Sequence, residues 1–175
     1  MKLKTAALKN ALRVALFAAL TAAVSQLALP LPSGVPVTFQ VFAIGFCSFF
    51  AGVKNSLTAL AVYVALGAVG VPVFAGFKGG ISCIAGPTGG FIIGFFILCF
   101  FCAVSVNKRG AMTLLLSAVG LLLFHSLGAF HFSLVSGVSF INAVITVSLF
   151  YIPKDAVLLI AAFFCAKKAL KIIKE

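Results

Sequence analysis

Only two of the 175 residues are acidic, Asp155 and Glu175, and charged residues of either sign make up 9% of the chain. That scarcity excludes paired carboxylates for acid–base catalysis, an acidic cluster for ion coupling and an ordinary soluble surface. Tryptophan is absent and histidine occurs twice. Nothing resembles the phosphate-cradling Gly-x-x-x-x-Gly-Lys-Ser/Thr loop. The residues therefore imply neither an enzyme nor a cofactor.

What is abundant is apolar: hydrophobic residues form 63% of the chain and the mean hydropathy is +1.29. Such a composition implies an all-α integral membrane protein. Apolar runs near the ~20 residues that a helix needs to cross hydrocarbon predict one membrane domain over 1–175. Its six spans lie at about 11–29, 37–53, 56–72, 88–106, 110–130 and 154–173. The formal charge of +11 does not point to nucleic acid, because the 13 basic residues sit at the ends of these runs. Lys2, Lys4, Lys9, Arg13, Lys54, Lys108, Arg109 and the tail lysines Lys167, Lys168, Lys171 and Lys174 share one side; only Lys78 and Lys154 fall on the other. That asymmetry predicts cytoplasmic N- and C-termini in a cell membrane. Residues 131–151 are also apolar, yet a seventh span would move the tail lysines outside. This segment carries Ser136, Ser139, Asn142 and Thr146 at helical spacing. It is expected to be a partly inserted outer helix before the last span, folding over the loop described next.

That loop is Gly70-Val71-Pro72-Val73-Phe74-Ala75-Gly76-Phe77-Lys78-Gly79-Gly80, followed by Gly86-Pro87-Thr88-Gly89-Gly90-Phe91. Non-helical backbone with such apolar flanks is tolerated where protein covers it or it lines a cavity. Glycine lets that backbone approach a ligand, so the loop is the first candidate binding site, with a tight outer turn as the alternative. Upstream, Pro30, Pro32 and Pro36 forbid helix and leave Thr38 and Gln40 at the outer mouth of the second span. The second and third spans form a hairpin turning at Lys54-Asn55, and Tyr63 within the third needs a hydrogen-bond partner.

Other residues carry weaker signals. Ala11, Ala15, Ala19 and Ala23 repeat at four-residue spacing on the first span, a pattern that serves either internal packing or docking of a partner helix. Cys99 and Cys102 form a Cys-x-x-Cys with no second pair and read as buried packing residues. His125 and His131 are lone histidines, each read as a structural donor in preference to a ligand-site residue. Asp155, just after Pro153 and Lys154, is an ionisable group at membrane depth and hence a functional candidate; it also suits a helix N-terminus.

Several of these pieces together resemble the BioY family, the substrate-capturing S components of energy-coupling factor (ECF) biotin transporters. They are Leu31-Pro32 with Val35-Pro36-Val37-Thr38-Phe39-Gln40, then residues 67–76 with Gly79-Gly80, then Gly86-Pro87-Thr88-Gly89-Gly90-Phe91 with Gly94-Phe95, and finally Ile152-Pro153-Lys154-Asp155. The resemblance implies six membrane helices and a biotin pocket near the outer surface, in a multi-pass protein of a bacterial cell membrane. It also implies partners: a transmembrane coupling subunit and two ATPases, docked in part on the alanine face, with the lipid bilayer around them. Biotin is then the transported ligand. Its bicycle would find walls in Phe39, Phe74, Phe91 and Tyr151. Hydrogen bonds would come from Thr38, Gln40, Thr88, Asn142, Asp155 and the backbone of Gly79, Gly80 and Gly90. The family's last motif reads Pro-Gly-Asp, with a lysine three residues after the Asp. Here Lys154 stands for the glycine and Leu158 for that lysine. The ligand's carboxylate is left to Lys154 or to Lys78, or the ligand lacks one. An S component for another vitamin, or a stand-alone small-solute carrier, are the alternative readings.

Overall fold

In a membrane, helix satisfies every backbone group within one segment, and these apolar runs contain no interior proline to break it. The computed structural model, which describes residues 2–106, 108 and 110–174, is a helical bundle. Helix α1 covers Lys2–Ser25. The proline-rich stretch then makes a small antiparallel ribbon, strand β1 (Ala28–Leu29) against β2 (Val37–Thr38), with Ala28 opposite Thr38. The first span thus ends at Ser25, before the expected 29, because Ala28 and Leu29 are extended.

Helix α2, Gln40–Ala68, is broken at Gly52, whose φ of 73° and ψ of 177° are not helical. Such a φ is disfavoured for residues with a Cβ. The chain reverses there: Gln40 Nε2 donates to Tyr63 Oη at 2.8 Å, whereas a straight helix would hold residues 23 apart about 34 Å from each other. The expected hairpin is present, but it turns at Gly52, and Lys54-Asn55 lie in its second arm. Tyr63, fully buried, receives its hydrogen bond in this way.

The short helix α3 (Ile81–Ala85) leads into α4 (Gly89–Ser105), and α5 spans Gly110–Ser136. Residues 131–136 therefore extend α5, beyond the expected end at 130. The rest of the outer segment is helix α6 (Phe140–Val144) with a π-turn over Ile145–Leu149, then α7 over Tyr151–Lys174. Gly137, with φ of 68°, separates α5 from α6.

Packing is tight where glycines face neighbouring helices, as association in lipid requires. A Cβ on Gly90 would meet the His131 Cβ at 2.4 Å, and one on Gly128 would meet the Phe91 ring at 2.3 Å. Helix α4 lies along α5, and α2 touches α1, α4 and α7. On α1, Phe17, Ala18, Thr21 and Ser25 turn inward, while Ala11, Ala15, Ala19 and Ala23 are all exposed. Cys99 and Cys102 are buried, with the Ser48 hydroxyl donating to Cys99 Sγ. Outward-facing Leu122, Ile141, Phe150 and Val157 are more than half exposed. Among the described residues, the helical stretches Ala7–Ser25 and Gly110–Ser136 are each long and apolar enough to cross a membrane, and Gln40–Ala68 is likewise apolar but folds back at Gly52. This is a membrane protein.

Candidate functional site

The glycine loop is fixed by the end of α1. Phe74 and Lys78 pair across it, the Phe74 N–H donating to the Lys78 carbonyl at 2.9 Å and the Lys78 N–H returning at 3.3 Å. Phe77 between them has φ of 56°, a left-handed conformation uncommon for a bulky side chain. Its N–H donates to Gln26 Oε1 at 2.7 Å, and the Gln26 amide donates to the Val73 carbonyl at 3.1 Å. The Ser25 hydroxyl reaches the same carbonyl. Two polar side chains at one helix end thus stabilise a loop whose own backbone is strained.

Beneath the loop lies a cavity of about 280 Å³, bounded by the starts of α2, α4 and α7 and the middle of α5. That is near the lower end of the ~300–1,000 Å³ usual for small-molecule sites. Its walls are aromatic: Phe74, Phe91, Phe95 and Phe124 line it, with Phe95 and Phe124 stacked at 5.0 Å. The Phe74 ring packs edge-on against Tyr63 at 5.6 Å.

The polar groups centre on Asp155, with two hydroxyls held separately on the lining. Asp155, 3% exposed, lies 2.6 Å from Lys154 Nζ through Oδ1 and 3.2 Å from His125 Nε2 through Oδ2. Neither contact has hydrogen-bond alignment, and both His125 nitrogens and Asp155 Oδ1 lack an aligned partner among the described residues. The Lys154 contact still counts as an ion pair, because charge attraction at that distance does not depend on alignment. Lys154 also donates to the Thr38 carbonyl at 2.7 Å. The Tyr151 hydroxyl donates to the Val35 carbonyl at 2.7 Å, and the Thr88 hydroxyl to the Cys83 carbonyl at 2.9 Å. With their hydroxyl protons committed, the Tyr151 and Thr88 oxygens keep acceptor lone pairs, as do the carboxylate oxygens of Asp155. Chemically, the cavity offers acceptors and flat apolar walls to a ligand that donates N–H groups.

Of the residues expected at the site, Thr38, Gln40, Phe74, Thr88, Phe91, Tyr151, Lys154 and Asp155 line this cavity. Phe39, Gly79, Gly80, Gly90 and Asn142 do not. Phe39 points outward at the start of α2, 48% exposed. Gly79 is folded against the Gly70 and Val71 carbonyls, Gly80 leads into α3, and Gly90 is packed on α5. Asn142 is exposed, its N–H donating to the Ser139 hydroxyl and its carbonyl accepting from Thr146. Helix α6 thus packs beside α5, with the π-turn after it against α5 and α7, and does not fold over the cavity, where the glycine loop is the cover. Sequence reasoning ranked His125 too low and did not foresee Ile92, Phe95 or Phe124. No local pattern marks them, since they face the cavity only once α4 and α5 are side by side.

Known proteins agree on the family. The BioY family model matches residues 1–175. A probable biotin transporter BioY from Pyrococcus horikoshii is 43% identical over 115 residues, covering 66% of this chain and 68% of that protein. The biotin transporter BioY of Thermotoga maritima is 35% identical over 125 residues, 70% of this chain and 73% of its own. A solved structure, the crystal structure of the S-component for biotin from an ECF-type ABC transporter, has the same fold. Its TM-score is 0.86 at 22% identity, covering 95% of this chain and 93% of that one. With the family model matching from the first residue to the last, the chain belongs to the BioY family.

Proposed function

We propose that the chain is the biotin-binding S component of an ECF transporter, a transport subunit that captures biotin at the outer membrane face for uptake powered by partner subunits. The observation that carries this reading is the aromatic cavity with a buried carboxylate, Asp155, at its base. Biotin has a neutral ureido ring with two N–H donors and an apolar bicycle, and its flexible chain ends in a carboxylate. Asp155 and the Tyr151 and Thr88 oxygens accept from the ureido N–H groups, while Phe74, Phe91 and Phe124 enclose the bicycle. The names of the family's relatives support the same ligand.

In this reading α1, the two arms of α2, α4, α5 and α7 make six crossings, with both termini cytoplasmic and the cavity facing outward. The distribution of lysine and arginine supports that orientation. The exposed alanine face of α1 meets the transmembrane coupling subunit, and two ATPases supply the energy that this chain has no motif to provide. The test is a filter-binding assay with radiolabelled biotin on detergent-purified protein, competed by unlabelled biotin, lipoate, thiamine and riboflavin. Displacement by biotin alone is the expected result; displacement by another of these solutes would assign the cavity to that ligand.

A further inference from the structure

The cavity has two cations on its lining, and they are not equivalent. Lys154 is already neutralised: its ammonium sits 2.6 Å from Asp155 and donates to the Thr38 carbonyl at 2.7 Å. A ligand carboxylate brought to it would crowd a second negative charge against Asp155, an arrangement that proteins avoid or relieve by protonation. Lys78 has no ion-pair partner among the described residues. Its backbone is pinned by both hydrogen bonds to Phe74, and the Phe74 ring lies where a Cβ on Gly67 would stand. The four-carbon stem therefore rises from a fixed point. Leu158 is not on the cavity lining.

Depth separates the two ends of the cavity as well. Asp155 and His125 are 3% exposed, whereas Lys78 is exposed on the covering loop. A ligand carboxylate retains part of its hydration at the mouth and would lose it at the base, where desolvation costs most. The charge pattern of the chain points the same way. Lys78 and Lys154 are the basic residues outside the cytoplasmic clusters, and only Lys154 has a structural role that accounts for its position.

We propose that Lys78 is the residue that selects the acid form of the ligand: its ammonium meets the carboxylate at the cavity mouth, while Lys154 holds Asp155 in place at the base. This rests on the biotin reading given above. It orients the ligand with the ureido ring inward and the acid outward.

The test uses equilibrium dialysis of the full chain in detergent with biotin and with its methyl ester, for wild type, Lys78→Gln and Lys78→Arg. Wild type is expected to prefer the acid. Lys78→Gln should weaken acid binding by about 10- to 100-fold, the range for losing a hydrogen bond to a charged group, and leave the ester unchanged. Lys78→Arg should restore the acid preference. Equal binding of the acid by Lys78→Gln and wild type would overturn the assignment while leaving biotin as the ligand. A parallel loss of acid and ester would also overturn it, giving Lys78 a role in loop shape alone. Wild-type protein that binds neither compound, yet unfolds cooperatively, would instead remove the biotin reading itself and this assignment with it.

Discussion

Asp155 is buried among aromatic rings with a single close cation, and its fate decides much of the local stability. Removing one partner of a buried pair leaves an uncompensated charge and typically costs about 3–5 kcal/mol. Because the Lys154 side chain is 27% exposed, water screens part of that loss, and Lys154→Met is expected at the lower end, about 3 kcal/mol. Thermal unfolding in detergent measures it. The double variant Lys154→Met with Asp155→Leu should regain most of the lost Tm while failing to bind biotin. A double variant that regains none of the lost Tm would mean that the pair does not couple. Asp155 was legible in the sequence because an acidic residue in so apolar a chain has few innocent explanations. His125 was not, since its partner Asp155 lies far along the chain and no acidic residue stands near it in sequence. Phe39 and Asn142 show the opposite failure: the residue type suits a ligand, but the helix turns the side chain outward.

At the scale of elements, two short devices shape the site. Gly52 reverses α2 with φ of 73° and has nothing within 4 Å of its Cβ position, so a substitution there meets only backbone strain. Gly52→Ala should lower stability by about 1–3 kcal/mol, the cost of a residue with a Cβ in this positive-φ, extended region, read by thermal unfolding, with biotin affinity unchanged. Gln26 ties α1 to the glycine loop through hydrogen bonds to Phe77 and Val73. Gln26→Leu should free the loop and weaken biotin binding about tenfold, chiefly by faster dissociation in a stopped-flow displacement assay. Unchanged dissociation would show that Ser25 holds the loop alone. The hairpin could be read from two short apolar runs, but not its turning point, because Lys54-Asn55 advertise exposure whereas the turn needs a positive φ. The β1–β2 ribbon was illegible for a different reason: two-residue strands leave no periodicity. Residues 131–151 mislead because their polar stripe is at helical spacing, yet Gly137 divides the segment between α5 and α6.

Across the whole molecule, the account requires the cavity to open outward and α1 to be free for a partner. A membrane-impermeant thiol reagent applied to intact cells, on a variant with its native cysteines replaced, should label Phe77→Cys at once and Lys171→Cys only after permeabilisation. The reverse order would invert the topology. Because Ala15 and Ala19 are exposed, Ala15→Leu with Ala19→Leu should leave biotin binding intact and lower uptake in cells carrying the coupling subunit and ATPases, measured with labelled biotin. Loss of binding instead would mean that this face supports the fold. The central claim is that the cavity beneath the glycine loop holds one biotin. Calorimetric titration of the purified, folded chain with biotin tests it most directly: the account predicts saturable one-to-one binding that Asp155→Ala abolishes, and no heat of binding from wild-type protein with a cooperative unfolding transition would contradict it.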